Sequence, residues 1–312
     1  MQIHLSLESL RHEPRPIHWA MGFFDGVHTG HRRVMHSATT PGALRGVLTF
    51  ARHPLALLCP EKQPLLLTPD AEYKAELIAR EGGADLLLRL PFTPELAALS
   101  PESFLDALAG VCRIAGISVG ANWRFGSGGS GTPELLQREG RKRGFRVCVN
   151  PLSSAGGECV SSSRIRAALA AGALSEVAAM LGRRFCAVGQ VQHGQHLARR
   201  LGFPTANLRL PAQAALPPFG VYRVLCHTGS GSYPGLANLG LRPTIHEATK
   251  APGLETHLPG HELDLYGQRI AVEFIDFMRP ERAFASLEEL QAQVQRDLAA
   301  FASAQQAWHP AP

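Results

Sequence analysis

The chain has 312 residues, 45% of them apolar and 18% charged, with a formal net charge of +5. That length holds two ordinary domains, each able to bury its own core, and the composition excludes a disordered or fibrous chain. The positive balance is scattered, with "GRKRG" at 140–144 as its one run, so a dedicated nucleic-acid binder is disfavoured. Small phosphorylated ligands fit such a surface, and so does a plain solvated one. Six cysteines lie far apart with no CxxC pair, which argues against a zinc knuckle or a dense disulfide framework. The first residues lack the order of a secretory signal, and no apolar run reaches the ~20 residues that span a bilayer. The expectation is a cytoplasmic protein with reduced thiols and no membrane partner.

From residue 17 to about 150, short apolar runs alternate with amphipathic stretches: "IHWAMGFF", "GHRRVMHSAT", "LRGVLTF", "DAEYKAELIAREG" and "ADLLLRL". This order predicts a parallel sheet with crossover helices. "PESFLDALAGVCRIAG" reads as a helix, "ISVGANW" as a strand, "TPELLQREGRKRG" as a helix and "FRVCVNPL" as a strand. "SSSRIRAALAAGALSEVAAMLGRR" reads as one capped helix ending near Gly182, the best candidate for a domain boundary. Beyond 184, "FCAVGQVQ", "GVYRVLCHT", "YPGLANLGL" and "RIAVEFIDFM" predict an antiparallel barrel. "SLEELQAQVQRDLAAFASAQQ" closes it as an amphipathic helix, and the last residues read as a loose tail. The predicted divisions are 1–182, 183–305 and 306–312.

The stretch "GFFDGVHTGH" at 22–31 follows a predicted strand, turns through Asp25-Gly26 and opens a helix near His28. A helix start offers backbone N–H groups and the positive end of the helix dipole, a natural seat for phosphate. His28 and His31, three apart, are near enough to serve one anion, and imidazoles donate directed hydrogen bonds. For a lone HxxH, two surface histidines are the plainer reading. A helical metal pair would prefer i, i+4 spacing with an acidic third ligand.

The context is more specific. "GFFDGVHTGH" resembles the GxFDGVHxGH signature of the bacterial bifunctional riboflavin kinase and FMN adenylyltransferase (FAD synthetase) family, one of the HxGH nucleotidyltransferases. "TFARHP" at 49–54, "VGANWRFG" at 119–126 and "SSSRIR" at 161–166 follow in the family's order, and "GQHLARRLGFPTANL", "ANLGLRPT", "LETH" and "DLYGQRIAVEFIDFMRPERAFAS" are similar to its riboflavin kinase module. The resemblance covers nearly the whole chain. It implies a Rossmann-like α/β nucleotidyltransferase domain followed by a riboflavin-kinase antiparallel β-barrel with a closing helix.

The resemblance also implies roles. His28 and His31 would stabilise charge during AMP transfer from ATP to FMN. Gly22, Phe24, Gly26, Gly30, Asn122, Ser162, Ser163, Arg164 and Arg166 would surround the nucleotide, and His53 and Phe125 the flavin. In the second half, Glu255 would be the base for phosphorylation of riboflavin. Thr205 and Asn207 would meet a magnesium ion or another divalent cation, and Gly194 and Arg199 the phosphates. For the serines alone a helix cap is the simpler reading, and for Phe125 and Trp123 core packing is an equal one. Riboflavin, FMN, FAD and ATP are the expected partners, with self-association left open.

Three positions depart from the pattern: Arg52 stands where proline is common, Gly129 where a basic residue is common, and Ala198 where glycine is usual. The alternatives are a riboflavin kinase with a weak or inactive adenylyltransferase half, and a non-catalytic flavin- or nucleotide-binding regulator.

Overall fold

The computed structural model describes residues 1–193, 202–242 and 251–306. They form two compact units: Met1–Ile165 with Met180–Gly182, and Arg166–Ala179 with the described residues from Arg183 onward.

In the first unit, strands β1 (Gln2–His4), β2 (Ile17–Met21), β3 (Leu44–Phe50), β4 (Leu86–Leu90), β5 (Ile114–Gly120) and β6 (Arg146–Asn150) make one parallel sheet in the order β1-β4-β3-β2-β5-β6. The crossovers carry α1 (Thr29–Ser37), the short α2 (Leu55–Leu58) with α3 (Ala71–Gly82), the short α4 (Pro94–Ala98) with α5 (Pro101–Ala109), and α6 (Pro133–Arg143). Their starts follow the sequence. Asp70, Thr93, Ser100 and Thr132 each accept an N–H three residues on, and Pro94, Pro101 and Pro133 open their helices without needing a donor. From β2 the chain builds β3 and β4 on one side, then returns to lay β5 and β6 on the other. The order in which strands are added therefore reverses between β2 and β5, and the segments leaving those strands, residues 22–28 and 121 onward, sit where open α/β sheets bind ligands.

All five residues of β2 are buried, as expected of a central strand covered on both faces. Trp19, Leu48, Leu86, Leu88 and Ile117 join Leu105 and Leu108 of α5 in one core.

The expected helix through Gly116 is shorter. It ends at Ala109, and Ile114–Gly116 already pair with Ile17 and His18 of β2 as part of β5. The expected single helix after residue 161 is two, α7 (Ser162–Ala170) and α8 (Leu174–Leu181). Gly172 between them has φ 75°, and the N–H groups of Gly172 and Ala173 donate to Leu169 and Ala168. Those paired bonds close a helix with a left-handed residue, which glycine adopts without strain. A two-stranded hairpin, β7 (Ser154–Ala155) with β8 (Glu158–Cys159), precedes α7.

The second unit contains a closed antiparallel barrel in the order β10-β13-β12-β11-β14-β9: β9 (Cys186–Gln192), β10 (Thr205–Arg209), β11 (Gly220–Thr228), β12 (Gly231–Arg242), β13 (Ala251–His257) and β14 (Arg269–Pro280). "TANL" of "LGFPTANL" and "LETH", read in the sequence only as motifs, lie in the strands β10 and β13. Tyr222 and Phe274 are fully buried and meet edge to face at 4.9 Å. Helix α9 (Leu287–Gln306) follows, with the Ser286 hydroxyl accepting the Glu289 N–H at its start.

Candidate functional site

The segment from Gly22 to His28 is held in an unusual shape. Phe24 (φ 56°), Gly26 (φ 81°) and Val27 (φ 42°) all have positive φ, which is rare for a branched side chain and cheap only at the glycine. Several bonds fix it. The Asp25 carboxylate accepts the N–H groups of Leu67 (3.2 Å) and Thr68 (3.0 Å) and the Thr68 hydroxyl (3.2 Å), and the Gly26 N–H donates to that hydroxyl at 3.1 Å. The Ser162 hydroxyl donates to the Asp25 carbonyl at 3.0 Å, and the Thr49 hydroxyl to the Phe23 carbonyl at 2.9 Å. The loop is thus preorganised by β3, the segment before α3 and the start of α7.

His28 is the N-cap of α1, and its Nδ1 accepts the His31 N–H at 3.3 Å. That bond puts the proton of a neutral His28 on Nε2, which makes this nitrogen a hydrogen-bond donor. The two rings stack at 3.5 Å, and Phe24 meets His31 edge-on at 5.2 Å. A Cβ added to Gly30 would lie 3.1 Å from the His28 ring, and one added to Gly22 would lie 2.9 Å from that of Phe24. Both glycines therefore make room for rings of the motif itself.

The other expected residues divide. His53 meets Phe23 edge-on at 4.7 Å and accepts the Leu55 N–H, which ties it to the loop. Asn122 is exposed just beyond β5. Ser161 caps α7 by accepting the Arg164 N–H, while Ser162 is spent on the Asp25 carbonyl. Ser163 follows in the first turn of α7. Arg164 donates to the Ala155 and Glu158 carbonyls of the β7–β8 hairpin and pairs with the Glu158 carboxylate at 3.2 Å. Arg166 is grouped with the second compact unit. Phe125 is buried, stacked on Trp123 at 4.6 Å and edge-on to Phe104, so its ring belongs to the core.

In the barrel, Asn207 pairs with Glu255 between β10 and β13, and Glu255 with Asn238 between β13 and β12. Leu254 and Thr256 flank Glu255 and are buried in the barrel, so Glu255 belongs to the opposite, outer face. Asn207, Glu255 and Asn238 thus form a row across three strands, with directly opposed Cβ atoms about 5 Å apart. Thr205 lies two residues from Asn207 on the same face, opposite His257. The Asn207 amide nitrogen donates to the Thr205 carbonyl at 3.2 Å, and His257 Nδ1 donates to the Pro204 carbonyl at 2.8 Å. Thr205, Asn207 and Glu255 offer oxygen donors only, a hard set that fits magnesium rather than a soft metal. Gly194, Arg199 and Ala198 lie outside the described residues.

Sequence reasoning read Asp25 only as a turn residue and passed over Thr68, Phe23, Lys74 and Asn238. One signal was available for Lys74: it stands one turn before Ile78, on a helix whose buried face holds Tyr73, Leu77 and Ile78.

A family model described as FAD synthetase matches residues 10–164, and one described as riboflavin kinase matches residues 181–304. A bifunctional riboflavin kinase/FMN adenylyltransferase from Escherichia coli (strain K12) is 39% identical over 283 residues, 89% of this chain and 89% of that one. Another of the same description, from Pseudomonas fluorescens, is 37% identical over 305 residues, 96% of each chain. A crystal structure described as a macrolide-efflux protein from Streptococcus pneumoniae superposes with a TM-score of 0.83 at 25% identity, covering 99% of this chain and 100% of that one. Efflux is that protein's description; among the described residues here, no helix is long and apolar enough to cross a membrane. Two matched halves and relatives aligned along almost their full length place the chain in the bifunctional riboflavin kinase/FMN adenylyltransferase family.

Proposed function

We propose that the chain makes FAD from riboflavin in two ATP-dependent steps, phosphorylation in the barrel unit and adenylylation in the α/β unit. One observation carries this: the two halves match two different enzyme families, and each matched half has its own set of chemically suited side chains.

In the α/β unit, a phosphate oxygen of FMN attacks the α-phosphorus of ATP as the bond to pyrophosphate breaks. FMN is already a competent nucleophile, so the protein's work is positioning and charge stabilisation. His28, through Nε2–H, and His31 donate to the phosphate oxygens as charge builds. The first turn of α1 adds backbone donors and its dipole. Gly22, Gly26 and Gly30 shape the cradle, Asn122 reaches the nucleotide from the other side of the switch point, and His53 meets the flavin side. Ser162 acts by holding Asp25.

In the barrel, a primary alcohol attacks the γ-phosphorus and must lose its proton. Glu255 takes it, and ADP leaves. Thr205 and Asn207, with Glu255 beside them, would hold a divalent cation, which when bound neutralises charge on the nucleotide phosphates. Asn238 flanks Glu255 on the third strand and orients its carboxylate.

A time course of riboflavin, FMN and FAD with MgATP tests both halves. Riboflavin should fall, FMN should rise and then decline, and FAD should accumulate. FMN that accumulates without FAD would leave only the kinase, and unchanged riboflavin with flavin still bound would leave a binding protein.

A further inference from the structure

Lys74 lies one turn into α3 and is only 4% exposed. Its ammonium donates to the Phe23 carbonyl at 3.2 Å and the Phe50 carbonyl at 3.2 Å, and lies 3.5 Å from the Thr49 hydroxyl. It also sits over the Phe23 ring, 4.0 Å from the centroid. Those carbonyls belong to the carboxyl ends of neighbouring strands, just past β2 and at the end of β3, on the edge of the sheet that binds ligands. The far partner of the Phe23 ring is His53.

A buried ammonium is costly, and a methionine would fill the same space without the desolvation penalty. Burial pushes the Lys74 pKa down to about 8, with Arg89 on β4 pushing the same way and Asp25 pulling it up. Arg89 is itself paired with Glu72 on α3. The ammonium's bonds go to two strand ends and one ring, all beside the candidate site. Phe23 fills the variable position of GxFDGVHxGH, so the motif itself does not account for the arrangement.

We propose that Lys74 is a positioning residue for the flavin side of the adenylyltransferase site, acting through Phe23. The proposal rests on the assignment of adenylyl transfer to this unit. The ammonium locks the strand ends of β2 and β3 together and fixes the Phe23 ring against His53, which sets the seat for the ring system of FMN.

The test is steady-state kinetics of the full chain, with riboflavin phosphorylation as internal control. Lys74→Met should raise KM for FMN about tenfold while kcat and KM for ATP change less than about threefold, and phosphorylation should be unchanged. Phe23→Leu should raise the same KM, and the double variant should be no worse than the weaker single by more than about twofold, because both act on one contact. A wild-type KM for FMN in Lys74→Met, or effects that multiply in the double variant, overturns the proposal alone. A wild-type chain that forms no FAD overturns both the proposal and the assignment beneath it. Should Lys74→Met lose the native emission of Trp19 and Trp123, read in a Trp308→Phe background, Phe23→Leu decides: an unchanged KM for FMN overturns the proposal, and a raised one with kcat preserved supports it.

Discussion

Val27 holds φ at 42° and Phe24 at 56° with both side chains buried, so the loop between β2 and α1 stores strain of about 1–3 kcal/mol per residue. It keeps that shape because Asp25 is bound on several sides. The result is a fixed anchor for His28, whose ring is then sensitive to its neighbours. Gly30 has no special φ, yet a Cβ there would press on that ring at 3.1 Å. Gly30→Ala should therefore separate stability from activity. Alanine in the first turn of α1 should preserve or raise the stability of the unit, by up to about 1 kcal/mol of helix propensity, while FAD formation falls about tenfold or more as the stacked pair tilts. Riboflavin phosphorylation should not change, and a Gly30→Ala chain with wild-type FAD formation would detach the His28 geometry from adenylyl transfer. In the barrel, Glu255→Gln keeps size and removes the base, so FMN formation should drop by about 10²-fold or more with FAD formation from supplied FMN retained. His28, His31 and Glu255 stood out in the sequence as candidates because they fall in motifs that resemble the family's. Lys74 did not, since its place on the apolar face of α3 signals burial but not the sheet edge that its ammonium reaches.

The elements most exposed to the sequence were those defined by local signals: Asp70 before α3, the Thr-Pro and Ser-Pro starts of α4 to α6, and the alternating strands of the barrel. Less legible were breaks and pairings. The stop at Gly172 was hidden in an alanine-rich run with strong helix propensity, and the row Asn207, Glu255, Asn238 depends on register between strands far apart in the chain. The clamp between the loop after β2 and the segment before α3 is of the same long-range kind. Thr68 supplies its hydroxyl both to the Asp25 carboxylate and to the Gly26 N–H, in a buried setting. Thr68→Val preserves shape but removes both bonds, so the first unit should lose about 1–3 kcal/mol in urea unfolding. KM for ATP should rise with it, because the loop carrying the first turn of α1 is no longer tied down. A Thr68→Val chain as stable as wild type would show that the Thr68 hydroxyl contributes nothing to the clamp.

At the scale of the whole molecule, the two units should respond differently to acid, and the cause is one residue in the middle of the sheet. His18 is 0% exposed on β2, with its Nδ1 2.8 Å from the Thr40 hydroxyl and its Nε2 3.0 Å from that of Ser118. Burial, with Arg146 adding repulsion, lowers its pKa from an ordinary 6.5 to about 4, while a backbone bond from the Thr39 side opposes the shift. Between those values the unfolded chain binds a proton that the folded one refuses, so the folded state loses ground as pH falls. The contribution is fully present above pH 6.5, shrinks as pH drops, and is gone below about 4. Its full size is about 3 kcal/mol. Trp19 and Trp123 report this unit, and in a Trp308→Phe background their emission reports it alone. The urea midpoint of that signal should fall steeply from pH 7 to pH 4. His18→Gln, which can still reach both hydroxyls but cannot titrate, should flatten the fall by most of that amount. Carboxylates elsewhere titrate in the same range in both chains, so the difference between the two curves isolates His18. Parallel curves would mean that the ring takes up its proton inside the folded sheet. Gly116 shares the site, since a Cβ there would lie 2.7 Å from the His18 ring; Gly116→Ala should therefore weaken the β2–β5 pairing on which both candidate loops of the switch point depend.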